Sequence, residues 1–96
     1  MGQDWCAILA EVVRKFGGRV RFKRRGESDA EPWSRWLIAP TNGYLEIEVY
    51  GPCLVHELEW VEVEPATGPE PLASALAAAG LQAAIVQTAV RVVIQT

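Results

Sequence analysis

The chain has 96 residues and a mass of 10.5 kDa, half of them hydrophobic and 22% charged. That composition suits one folded core and excludes a disordered tail. Twelve acidic and nine basic residues leave a formal charge of −3, which speaks against attraction to nucleic acid through bulk charge.

Asp4 is placed to cap a first helix, in which Trp5, Ile8, Leu9, Val12, Val13 and Phe16 recur at helical spacing. Arg14 and Lys15 fall in its last turn, where cations suit the helix dipole, and Gly17–Gly18 ends it. From Arg19 to Arg25 the chain alternates, with Val20 and Phe22 on one side and Arg19, Arg21, Lys23 and Arg25 on the other. That is the pattern of a half-buried strand. Gly26–Pro32 reads as an exposed loop.

Trp33–Ala39 is expected as a second strand, with Trp36 and Ile38 turned inward and Trp33 and Arg35 outward. Pro40-Thr41-Asn42-Gly43 is a turn signal, because Asn-Gly tolerates the positive φ angles of tight hairpins. Tyr44–Tyr50 comes next as a third strand, Leu45, Ile47 and Val49 inward and Tyr44, Glu46, Glu48 and Tyr50 outward. After Gly51–Pro52, a long fourth strand covers Leu54–Glu64. Leu54, His56 and Leu58 share its inner face, but Val61 and Val63 have the other parity. A β-bulge near Trp60–Val61 restores the pattern and sends Glu57, Glu59, Glu62 and Glu64 all outward.

Pro65–Pro71 is a proline-rich connection, and an alanine-rich helix over 71–79 ends at Gly80. The C-terminal residues suit two strands, 81–86 and 89–95, joined at Gln87–Thr88, or one long strand. From Pro71 to Val90 there are 20 residues without a charge, long enough to span a bilayer. Gly80 and the polar Ser74, Gln82, Gln87 and Thr88 suit a buried helix and strands instead, so no membrane contact is expected. The whole of 1–96 is read as a single α+β domain of order α-β-β-β-β-α-β-β. Its antiparallel sheet has about five or six strands, the first four as a meander, with both helices packed on one face.

Charge is segregated along this order. Seven of the nine basic residues lie between Arg14 and Arg25, and seven of the twelve acidic ones between Glu46 and Glu70, with no opposite charge inside either stretch. On neighbouring strands such charges pair for a few tenths of a kcal/mol each. Left unpaired, Glu46, Glu48, Glu57, Glu59, Glu62 and Glu64, edged by Tyr44 and Tyr50, form an acidic patch suited to a basic protein surface. The basic strand of one copy meeting the acidic hairpin of another gives a homodimer, and the uncharged last 25 residues, with Arg91 their one exception, offer a second place for such an interface.

Catalytic and ligand chemistry is thinly provided. Cys53 and His56 have the C-x-x-H spacing of half a zinc site, but residues three apart on a strand face opposite sides. The same parity separates them as a nucleophile–base pair. Glu57 and Glu59 share a face but lack an apolar pocket to separate their pKa values. Trp33, Tyr44, His56 and Trp60 are the candidates for an aromatic-lined small-ligand pocket between sheet and helix. The reading is therefore a non-catalytic, homodimeric binding protein without cofactor or metal. Two cysteines and no leader pattern place it in the cytoplasm with reduced thiols.

Overall fold

The computed structural model describes residues 5–41 and 43–94. The expected cap at Asp4, the Asn42 position of the first turn and the Gln95 end of the last strand lie outside the described residues.

Helix α1 runs Trp5–Phe16 and buries Cys6, Leu9 and Val13. Gly17 closes it at φ 71°, its N–H donating to the Val13 carbonyl. Strand β1 is Arg19–Arg24, β2 Leu37–Thr41, β3 Tyr44–Ile47 and β4 Gly51–Leu54. A single 3₁₀ turn at Val55–Glu57 leads into β5, Leu58–Glu64. Helix α2 is Pro69–Ala78, and β6 (Ala83–Val86) and β7 (Ala89–Val93) close the chain. Helix α2 starts two residues before the expected 71, because Pro69 fits the first helical turn, where its missing N–H costs nothing.

The expected single sheet of five or six strands is two sheets. One has the order β1-β5-β7-β6, the other β2-β3-β4, and every pairing is antiparallel. The meander holds only for β2, β3 and β4. Strand β1 skips them and pairs with β5, and its one backbone link toward the second sheet among the described residues is a bridge in which Val20 and Ser34 exchange both hydrogen bonds. The cause is the 3₁₀ turn, which cuts the expected Leu54–Glu64 strand, leaving Leu54 as the end of β4 in one sheet and Leu58–Glu64 as β5 in the other. It also absorbs part of the parity break. The rest falls at Glu59: Lys23 faces Trp60 and Arg24 faces Leu58, so Glu59 is the extra residue of a bulge.

One core joins the parts. Val20 and Phe22 of β1, Val61 and Val63 of β5, and Val90 and Val92 of β7 share the inner face of the four-stranded sheet. They belong to the same cluster as Leu9 and Val13 of α1, Leu72 and Leu76 of α2, and Leu37, Leu45, Ile47 and Cys53 of the smaller sheet. Helix α1 lies against β2 and α2; α2 lies against β6 and β7. Each fully buried leucine stabilises this arrangement by roughly 1.5–3 kcal/mol. Trp36 and Ile38, expected inside, are 42% and 47% exposed, and it is Leu37, opposite Ile47, that enters the core. Val49, also expected inside, is exposed because β3 ends at Ile47 and residues 48–50 form a turn. The C-terminal segment is a hairpin, its two-residue connection made with Gln87 at φ 59°. No helix among the described residues is long and apolar enough to cross a membrane.

Gly18 sits at φ +100°, and a Cβ there would collide with the Glu64 carbonyl and the Pro65 Cα. Strain and overpacking together are expected to cost Gly18→Ala about 2–4 kcal/mol. Gly17→Ala, at positive φ but in open space, should lose only about 1 kcal/mol. Denaturant midpoints of the two variants check this; equal losses would refute the close approach.

Candidate functional site

The outer face of the four-stranded sheet carries the segregated charges, and the antiparallel register of β1 on β5 brings them together. Arg19 lies opposite Glu64 and Arg21 opposite Glu62; on the other side of β5, Glu62 lies opposite Arg91 of β7. Side chains match the register. Arg19 Nε donates to Glu64 Oε1 at 2.6 Å, and Lys23 Nζ pairs with Glu59 across the bulge. Glu62 is 1% exposed, so it is the one member of the expected outward row that is fully buried. Arg21 Nε reaches its Oε1 at 2.9 Å, while Arg91 reaches Oε2 through Nε at 2.9 Å and Nη2 at 2.7 Å. A buried carboxylate is tolerable only with such partners.

Two tryptophans stack on the arginines of this layer. The guanidinium carbons of Arg19 and Arg21 each lie 4.4 Å from the Trp33 ring centre, and that of Arg91 lies 4.2 Å from the Trp60 ring. Planar guanidinium on an aromatic face is favourable and keeps the cation where its carboxylate needs it. Trp60 has the parity of Glu62 and so belongs to the charged face, yet it is only 8% exposed.

The second sheet holds its own pair. The Arg35 backbone N–H donates to Glu48 Oε1 at 2.8 Å and its guanidinium clamps Oε2. Tyr50 accepts a hydrogen bond from Arg24 Nη1 at 2.8 Å and meets Phe22 edge-on at 5.0 Å, tying the turn after β3 to β1. Of the eight residues proposed for protein binding, Glu48, Glu59, Glu62 and Glu64 thus hold cations of their own chain and Tyr50 braces the two sheets. Tyr44 and Glu46 remain on the outer face of β3. Neither Glu46 nor Glu57 has an ion pair among the described residues.

The outer face of β2-β3-β4 has a different character. Ile38 lies directly opposite Glu46 and Glu46 opposite Pro52; Tyr44 lies opposite Leu54. Trp36, two residues before Ile38, extends the same face, and Ile38 and Leu54 are each nearly half exposed. The result is an apolar surface, one carboxylate at its centre. Periodicity misplaced it because Trp36, Leu37, Ile38 and Ala39 are all apolar, so either parity satisfies the pattern.

Trp33, Tyr44, His56 and Trp60 are not gathered into one pocket. Trp33 and Trp60 lie under arginines on the charged face, and Tyr44 is on the other sheet. His56, expected on an inner face, is exposed in the 3₁₀ turn beside Arg24, Arg25, Glu27 and Glu57. Cys6 and Cys53 are both buried and neither is in a disulfide. Burial, then the nearby Glu57 charge, pushes the Cys53 thiol up to about 11, which keeps it protonated and a poor nucleophile at neutral pH. No cluster of three or more metal-ligating side chains occurs among the described residues.

Removing the Glu62 charge leaves two arginines facing each other across β5. Glu62→Gln is expected to cost about 2–3 kcal/mol by denaturant titration, toward the low end for a broken buried pair because both arginines are one-third exposed. An unchanged midpoint would sink the brace. Acid should act on the neighbours. The Thr88 hydroxyl first, then Arg19, holds the Glu64 carboxyl below its ordinary value of 4.5; the Arg35 side chain, then its backbone N–H, does the same to Glu48. Both folded values lie below the unfolded ones, so this stability is present in full above the ordinary value and drains as pH falls through the lowered folded values. The unfolding midpoint should therefore drop below pH 4.5, and the E48Q/E64Q double variant should show a shallower drop.

Comparison with models of known protein families, with curated proteins and with solved structures finds no match to this chain.

Proposed function

We propose that this chain is a non-catalytic protein-binding domain whose contact surface is the outer face of β2-β3-β4. The observation that carries the reading is the contrast between its two outward sheet faces. On the four-stranded sheet, Glu59, Glu62 and Glu64 are answered by Lys23, Arg21, Arg91 and Arg19. That face has no unmet charge row to attract a basic partner, and its arginines are equally spoken for against nucleic acid. On the smaller sheet Trp36, Ile38 and Leu54 stand exposed around Glu46. An exposed aromatic and two aliphatic side chains on a rigid sheet are the ingredients of a binding hot spot.

The partner is a protein surface with apolar side chains around a Lys or Arg that meets Glu46. This keeps the basic-partner reading but moves it from the six-glutamate row to Tyr44 and Glu46. Two buried cysteines outside any disulfide accord with a reducing compartment such as the cytoplasm.

The test is affinity capture from the source cell with wild type and three variants, bound proteins being quantified by mass spectrometry. Ile38→Asp and Glu46→Lys should each reduce one and the same captured protein at least about tenfold, while Glu59→Lys leaves it unchanged. Loss with Glu59→Lys instead, or no protein dependent on Ile38 and Glu46, overturns the assignment.

A further inference from the structure

We infer that two copies of this chain join edge to edge through β6, merging their four-stranded sheets into one continuous sheet. This does not rest on the partner reading above, which concerns the other sheet.

The first argument is the free edge itself. In the order β1-β5-β7-β6, strand β6 has a neighbour on one side only. The Val93 N–H donates to the Gln82 carbonyl, which fixes which residues of β6 point toward β7. In an antiparallel ladder hydrogen-bonded pairs alternate, so Gln82, Ala84 and Val86 bond to β7. The N–H and C=O groups of Ala83 and Ile85 therefore face away from it. No backbone partner for them occurs among the described residues. Such a row of unmet groups is a template for another strand.

The second argument is that this edge lacks the devices that protect the others. Strand β1 is bridged by Ser34 and carries the cations Arg19, Arg21, Lys23 and Arg24. Strand β4 has Pro52 on its open side, which removes a donor from that edge, and β2 is short with a broken register. Strand β6 is Ala-Ala-Ile-Val, without charge or proline, and its register on β7 is unbroken.

The third argument selects a second copy as the occupant. Each chain has a formal charge of −3, so two copies repel at long range. The stretch from Pro71 to Val90, which holds nearly all of α2 and the whole of β6, has no ionisable side chain. It is where two like-charged copies approach without opposing charges. The edge is also self-complementary. About a twofold axis at Ala84, Ala83 exchanges both backbone bonds with the partner's Ile85, and Ile85 with the partner's Ala83. The Ile85 side chain, 46% exposed on the inner face of the sheet, then lies over the small side chain of the partner's Ala83. Helix α2 packs on β6 and turns Ser74, Ala77 and Ala78 to the outside, so bulk does not keep the two helices apart.

The experiment is light scattering of the untagged full chain at low and at high salt, with amide hydrogen exchange on the same samples. The expected mass is twice 10.5 kDa at both salts, because the interface is apolar and backbone-bonded. The Ala83 and Ile85 amides should exchange slowly. Ile85→Lys places two cations near the axis and should halve the mass and open both amides while Ala84 stays protected; its circular dichroism confirms folding. If that variant does not fold, exchange at Ala83 and Ile85 in the wild type decides alone. Glu46→Lys should leave the mass unchanged. A monomer at both salts overturns the inference, as does a dimer that dissociates in high salt. A dimer that survives Ile85→Lys, or is lost with Glu46→Lys, overturns it too.

Discussion

A carboxylate with almost no access to water decides how the larger sheet is assembled. Glu62 sits on β5 between β1 and β7, and each of its oxygens is taken by an arginine from a different neighbour. A strand order that took β1 or β7 away from β5, or a slip of one residue, would leave that buried charge short of a partner, at a cost of several kcal/mol. Hydrophobic burial alone is indifferent among many pairings of valine-rich strands. The charge is not, so it acts as a register pin. The tryptophan rings stacked on the arginines cover one face of each guanidinium and leave the arginines partly open to water.

Most elements of this fold could be read from the sequence, and their pairing could not. Helix α1, strand β1, the 26–32 loop and the C-terminal strands emerge from local periodicity and punctuation, and the structure keeps them. Pairing depends on contacts distant in the chain. The basic stretch Arg19–Lys23 and the acidic stretch Glu59–Glu64 run antiparallel with complementary charges, and the idea that they pair was available as one reading among several. What hid its consequence was the 3₁₀ turn at Val55–Glu57. No glycine or proline lies within it, so Leu54–Glu64 reads as a single strand, and one strand cannot belong to two sheets.

The candidate surface was legible only in part, for the same reason. Once β5 pairs on both sides, its glutamates become internal partners, and a row that looks acidic in sequence is neutral in space. Once Leu37 takes the inward position opposite Ile47, Trp36 and Ile38 must face out. Four consecutive apolar residues carry no parity information of their own; the partner strand supplies it. Glu46 and Tyr44 kept their expected outward positions because β3 alternates cleanly between large apolar and polar residues.

The different settings of the tryptophans give the molecule a built-in optical map. Trp33 and Trp60 are each stacked against guanidinium groups, whereas Trp36 stands apart on the other sheet with 42% of its surface open. A water-borne quencher therefore reaches Trp36 most readily, and its red-shifted emission reports on the smaller sheet. The blue-shifted remainder comes from Trp33 and Trp60 of the charged layer and from Trp5 of α1. Quencher-accessible emission thus separates events at the outer apolar surface of one small domain from the rest of its fold, the ionic layer that sets its strand order included.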